Sequence, residues 1–152
     1  KWGKNLHFFG EFYLTFTILD LHDKTIVAYV LGHSNNNNLV FKTLDLALEV
    51  SPGASPMIHS DPGFQYTSLG FKQRLDTAGM TQSMSRVGRC IDNGPMEAFW
   101  GILKCEKYYL YKYHTYEDLS NAINEYISFY NTKRLQKKLT GLSPMEFRAL
   151  AA

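Results

Sequence analysis

Two cysteines in 152 residues, Cys90 and Cys105, are too few for a disulfide framework and lack the paired spacing of a metal clip. They fit reduced thiols in a cytosolic protein. No run of about 18 apolar residues occurs, which excludes an apolar membrane-spanning helix, and no signal-peptide pattern opens the chain. Repeats, low-complexity tracts and an interdomain linker are missing as well. Ser60 and Ser85 have no Gly-x-Ser-x-Gly context, which argues against a nucleophilic serine hydrolase. His7, His22, His33 and His114 show no ligand spacing among themselves or with the cysteines. The chain also lacks an initiator Met: Lys1-Trp2-Gly3-Lys4 reads like the middle of a longer protein.

What is present is one ordinary globular domain, residues 1–152, with 45% hydrophobic and 20% charged residues. The net charge of +2 hides a gradient. Residues 1–70 carry 4 basic and 6 acidic side chains, whereas residues 71–152 carry 12 basic and 8 acidic. The surplus includes the cluster NTKRLQKK at 131–138, which can neutralise phosphates but also suits a solvated helix end.

The order of elements is readable. FYLTFTILDL (12–21) and TIVAYVL (25–31) are rich in β-branched and aromatic residues, and the short turn between them predicts an antiparallel hairpin. An Asn-rich loop, whose last Asn can cap, precedes a helix over 39–50. PMIHS leads into a short strand ending near Asp61; 67–79 reads as a helix capped by Thr67 or Ser68, and 80–85 as another strand. RVGRCIDNG (86–94) shows no periodicity and reads as a loop. Helices follow over 95–109 and 116–134, and a short one begins at Ser143, which faces Glu146 in capping-box spacing. Strands alternating with helices in this way predict a mixed sheet flanked by helices, an α/β domain. Ligands in such open sheets gather at the carboxyl ends of strands, where Asp61 falls.

On the 95–109 helix, Met96, Phe99, Trp100 and Leu103 form the apolar face. Glu97, Gly101 and Lys104 recur at i, i+4, i+7 on another. A carboxylate in the first helical turn, a position without a side chain and an ammonium thus share one stripe. Asp61, followed by Pro-Gly, is by itself equally suited to a turn. Between Asp61 and Glu97 lie 35 residues, 62–96.

HSDPGFQYTS (59–68), SMSRVGRCIDNGPMEAFWGILKCE and YNTKRLQKKLTGLSPMEF, together with ILDLHDKTIVAYVLG, resemble the catalytic core of bacterial insertion-sequence transposases. These are relatives of retroviral integrases, with a ribonuclease H-like fold and an Asp, Asp, 35-residue gap, Glu signature. The resemblance covers essentially the whole chain. It implies that Asp61 and Glu97 are the second and third metal-holding acids. It also implies that Lys104 contacts DNA ends, and that Arg86, Arg89 and Asn93, in the loop around Gly88, face DNA. Asn131 and Arg134 match the family's YN..R pattern, taken as partly structural. Phe64 and Tyr66 can line the rim, whereas His59 reads as a hydrogen-bonded rather than a catalytic histidine.

The implied activity is Mg²⁺-dependent DNA cleavage and strand transfer, with Mn²⁺ able to substitute. Two ions about 3.5–4 Å apart activate the attacking oxygen and stabilise the leaving one, and hard cations of this kind take carboxylates. The family's first Asp lies in the first strand of the sheet. WGKN reads as the turn after that strand, so the strand and its Asp are expected before residue 1, along with an upstream DNA-binding region. Asp20, near a strand end, is the tempting substitute but sits at a family position that is not a ligand. On this reading the isolated chain is inactive for want of the first Asp. The alternative is a non-catalytic nucleic-acid-binding or assembly fragment of a truncated or domesticated transposase. A nuclease acting on RNA–DNA hybrids fits the spacing and the YN..R tail less well. The expected partners are DNA and further copies of the chain, with no membrane or small-molecule substrate. The expected location is the bacterial cytoplasm, at the nucleoid when acting.

Overall fold

The computed structural model describes residues 2–9, 13–32, 36–85 and 94–151. Five strands, β1 (Trp2–Phe9), β2 (Tyr13–Asp20), β3 (Ile26–Gly32), β4 (Met57–Ser60) and β5 (Thr81–Met84), form one sheet in the order β3-β2-β1-β4-β5. β1 pairs antiparallel with β2 through eight residue pairs, from Trp2 with Asp20 to Phe9 with Tyr13. On its other side β1 runs parallel to β4, and β4 parallel to β5.

The mixed sheet flanked by helices matches the expected ribonuclease H-like α/β class, with one correction. The first strand is not missing: it is β1, at the centre of the sheet, and WGKN is its beginning rather than a turn after it. The residues disguise it. A strand buried on both faces ordinarily reads as a continuous Val/Ile/Leu run, whereas WGKNLHFF interleaves Gly, Lys, Asn and His. Pairing with two neighbours, not hydrophobic pattern, makes it a strand.

Helices cover both faces. α1 (Asn37–Val50) and α3 (Leu69–Thr77) bury Val40, Leu44, Phe71 and Leu75 against Trp2, Phe16, Ile18 and Ile58. On the opposite face α4 (Gly94–Glu106) and α5 (Tyr116–Thr132) bury Met96, Phe99, Trp100, Leu103, Ile123 and Tyr130 against Leu19 and Ile26. The alternation of Ile18 and Leu19 between the two cores is the period-two signature of β2.

Caps set the helix starts. Asn36 Oδ1 accepts from Leu39 N at 3.0 Å, so the cap of α1 falls two residues before the last Asn of the run. Ser68 caps α3 as expected, and a single turn, α2 (Phe64–Thr67), precedes it. α6 (Pro144–Ala151) opens with the expected reciprocal pair: Ser143 N donates to Glu146 Oε2 at 2.8 Å and Glu146 N to Ser143 Oγ at 3.4 Å.

Candidate nucleic-acid interface

Asp61 follows β4 directly and is half-buried. The strand pairing continues one step past β4, through Ser85 N donating to Ser60 O at 2.8 Å, which anchors the backbone just before Asp61. His59 Nδ1 lies 3.1 Å from Ser83 Oγ, a tie across the same strand pair consistent with a positioned histidine. Asp61 Oδ1 accepts from Gly63 N at 2.9 Å. A Cβ at Gly63 would stand 2.9 Å from that carboxylate oxygen, so a larger residue there would push the Asp61 side chain out of this position. The Tyr66 hydroxyl is held well above its ordinary pKa, first by burial and second by the negative charge of Asp61. Tyr66 therefore packs in the core with Phe16 and Phe71 rather than lining the rim, while Phe64 is exposed.

Glu97 occupies the first turn of α4 and is exposed, and Lys104 is half-buried in its last turn. A Cβ at Gly101, midway between them, would meet nothing within 4 Å. Neither Glu97 nor Lys104 makes an ion pair among the described residues. α4 packs against β1, so Glu97 belongs to a helix laid across the strand beside β4. No group of three His, Cys, Asp or Glu side chains able to hold a metal ion occurs among the described residues. Arg86, Arg89 and Asn93 lie outside those residues.

Asp20 is occupied elsewhere. Its Oδ1 accepts from His22 N at 2.8 Å, and Arg148 Nη2 reaches its Oδ2 at 3.5 Å. The YN..R residues form a clamp. Asn131 Oδ1 accepts from Ile26 N at 2.9 Å and Asn131 Nδ2 donates to Ile26 O at 3.0 Å, so α5 satisfies the first residue of β3 as a neighbouring strand would. Arg134 grips Glu106 through Nε and Nη2, and the Tyr126 hydroxyl donates to Glu106 Oε2 at 2.7 Å. Those contacts hold the Glu106 carboxyl below its ordinary pKa, the Arg134 hydrogen bond contributing most.

Two features escaped the sequence reading. Gly63 could have been suspected from the Asp-Pro-Gly turn. The position of Asn5 could not, because it follows from strand pairing alone. Gly3 aligns with His59 on the parallel β1–β4 ladder, and carrying that register on two residues sets Asn5 level with Asp61.

No helix among the described residues is long and apolar enough to cross a membrane. Residues 4–90 and 97–150 each match an integrase core domain family. An uncharacterized transposase-like protein of Haemophilus influenzae is 41% identical over 152 residues, covering 97% of this chain and 70% of that protein. A putative transposase of insertion sequence element IS150 from Escherichia coli is 39% identical over 132 residues, and the match covers 86% of this chain but only 47% of that relative. Among solved structures, a simian T-cell lymphotropic virus intasome superposes with a TM-score of 0.83 over 96% of this chain and 52% of its own, at 15% identity. The HTLV-2 integrase catalytic core in complex with magnesium gives 0.76 over 96% of this chain and 93% of its own, at 17% identity. The structural likeness at such identity speaks to the fold, and the sequence matches speak to descent. By those sequence matches the chain belongs to the integrase core domain family, on its insertion-sequence transposase side.

Proposed function

We propose that this chain is the DNA-holding core of an insertion-sequence transposase, a domain that grips a DNA strand at the carboxyl end of β4, where the family carries out phosphodiester hydrolysis and transesterification. The observation supporting this reading is the stripe Glu97–Gly101–Lys104, whose two charges have no ion-pair partner among the described residues, on a helix that packs against β1, the strand next to the one Asp61 follows. Lys104 supplies a cation for a backbone phosphate. The bare backbone at Gly101 admits the sugar-phosphate chain close to the helix. The surplus of basic over acidic residues in 71–152 favours approach of a polyanion. Arg86, Arg89 and Asn93 precede α4 in the chain and are assigned to the same DNA face on family grounds. More than one copy assembles on DNA in this reading.

The reaction class calls for Mg²⁺ or Mn²⁺, which when bound polarises the phosphoryl group and lowers the pKa of a water. Asp61 and Glu97 are the carboxylates that the family pattern assigns to it. A full two-ion set draws a third acid from the first strand, and Trp2–Phe9 contains no Asp or Glu. The residues present therefore do not fit the complete set, and no metal-borne step is assigned to this chain.

The test is DNA binding by fluorescence anisotropy across a salt series, comparing the wild type with Lys104→Ala. Loss of one phosphate contact weakens binding regardless of sequence and reduces the log–log salt slope by about 0.9. Absence of DNA binding at low salt, or an unchanged slope in the variant, overturns the proposal.

A further inference from the structure

We infer that Asn5 stands where a metal-holding carboxylate belongs, so that this chain grips DNA without cutting it and becomes a nuclease when position 5 is made acidic. The inference rests on the function proposed above, and three placements carry it. Asn5 lies on the central strand two residues past Gly3, as Asp61 lies two residues past Gly3's partner His59, so extending the register puts the two level. It pairs directly with Thr17 of β2, which shares a sheet face with Leu19, and Leu19 packs with α4 and α5. Position 5 therefore belongs to the face that α4 covers, and α4 is the helix bearing Glu97 and resting on β1. Two strand positions thus share the sheet side covered by the helix that bears Glu97, and of these three residues only two are acids.

No other residue of the described structure replaces the missing acid. Asp20 pairs with Trp2, three residues or about 10 Å along β1 from Asn5, and is engaged by Arg148. His7 lies two residues further along the strand and offers nitrogen, a poor match for hard, oxygen-seeking Mg²⁺. Thr17 is neutral and fully buried. An amide has a carbonyl oxygen that can touch a cation but no charge to neutralise one. With Asn5 in place, the cluster has one negative charge fewer against a divalent ion.

The same substitution explains how the apo fold tolerates the site. Three close carboxylates without metal repel one another, and two with an amide do so less. Asn5→Asp is therefore expected to lower the melting temperature without metal and to recover it on adding Mn²⁺. The wild type should barely respond.

The experiment compares the wild type, Asn5→Asp, Asn5→Ala and the double variant Asn5→Asp/Glu97→Gln. Mn²⁺ affinity is measured by titration calorimetry and thermal shift, and cleavage by nicking of supercoiled plasmid. In nicking, a water oxygen bonds to phosphorus and the P–O3′ bond breaks. One water proton ends on the released 3′-hydroxyl and the other leaves to solvent. Asn5→Asp is expected to gain Mn²⁺ affinity on the order of tenfold and to nick DNA, both lost in the double variant. Asn5→Ala should bind Mn²⁺ like the wild type. The inference is overturned if the wild type nicks plasmid, if folded Asn5→Asp gains no affinity, or if Asn5→Ala binds Mn²⁺ more weakly than the wild type. That last outcome would mean the amide already serves as a ligand, and it remains readable if Asn5→Asp does not fold. A wild type that binds no DNA refutes the proposed function instead, a separate result from the metal readout.

Discussion

Two sets of polar side chains in this domain treat their charges in opposite ways. Around α5 and α6, nearly every polar side chain named above is matched: Asn131 with both backbone groups of Ile26, Arg134 with Glu106, Arg148 with Asp20 and Asp23. Along the outer stripe of α4, Glu97 and Lys104 carry charge with no ion-pair partner among the described residues, and after β4 Asp61 receives a backbone N–H from Gly63. The first arrangement holds helices to a sheet. The second leaves charge unpaired among the described residues, and the proposed DNA interface rests on that contrast.

Arg148→Ala is the hardest test of the scaffold half. Asp23 is only 4% exposed, and its carboxylate accepts from Arg148 Nε at 2.5 Å. Burial pushes its pKa up, but the hydrogen bonds from Arg148 and Thr25 outweigh burial and leave it below the ordinary 3.8. A depressed carboxylate stabilises the fold above its unfolded pKa, and that contribution fades as pH falls through the lower folded value. The wild type should therefore lose this increment only below about pH 4. Without Arg148 the buried carboxylate loses its paired cation, keeping the Thr25 hydrogen bonds and the electrostatic influence of Lys24, and its pKa rises. The variant should be less stable by about 2–3 kcal/mol at neutral pH, the exposed flank of Arg148 moderating the cost. The gap should narrow as pH drops. Urea unfolding at pH 7 and pH 4 checks both, and a gap that widens in acid contradicts the assignment.

Asn131→Ala comes next. It strips both partners from the Ile26 backbone at the start of β3, with an expected cost of about 2 kcal/mol and no effect on DNA affinity. A variant that keeps its stability but loses DNA binding would move Asn131 from scaffold to interface.

The smallest effect sharpens the comparison from the other side. Gly101 sits in a helix interior with open space around it, so Gly101→Ala should stabilise the fold by about 0.5–1 kcal/mol. If DNA approaches the helix there, the same change weakens DNA binding. Greater stability with unchanged affinity would remove Gly101 from the interface.

Much of this was legible beforehand. The stripe Glu97–Gly101–Lys104 follows from helical period, and the α5 face bearing Leu119, Ile123, Tyr126, Ile127 and Tyr130 is the buried one. The capping box at Ser143–Glu146 was visible as spacing. Tyr66 was misplaced because an aromatic two residues from a candidate acid's turn can face either rim or core. Only the Phe16–Tyr66–Phe71 packing decides. Asp20 was set aside on family grounds alone, because the physical reason, its partner Arg148, is 128 residues away.

By itself, then, the sequence determined the α/β class, the 35-residue interval and the two acids that flank it, because period and spacing are local properties of the chain. Only the tertiary structure decided that Trp2–Phe9 is the central strand and that Asn5 lies level with Asp61. Register between strands is set by pairing across the sheet, and no pattern within WGKNLHFF records which residue will be its neighbour.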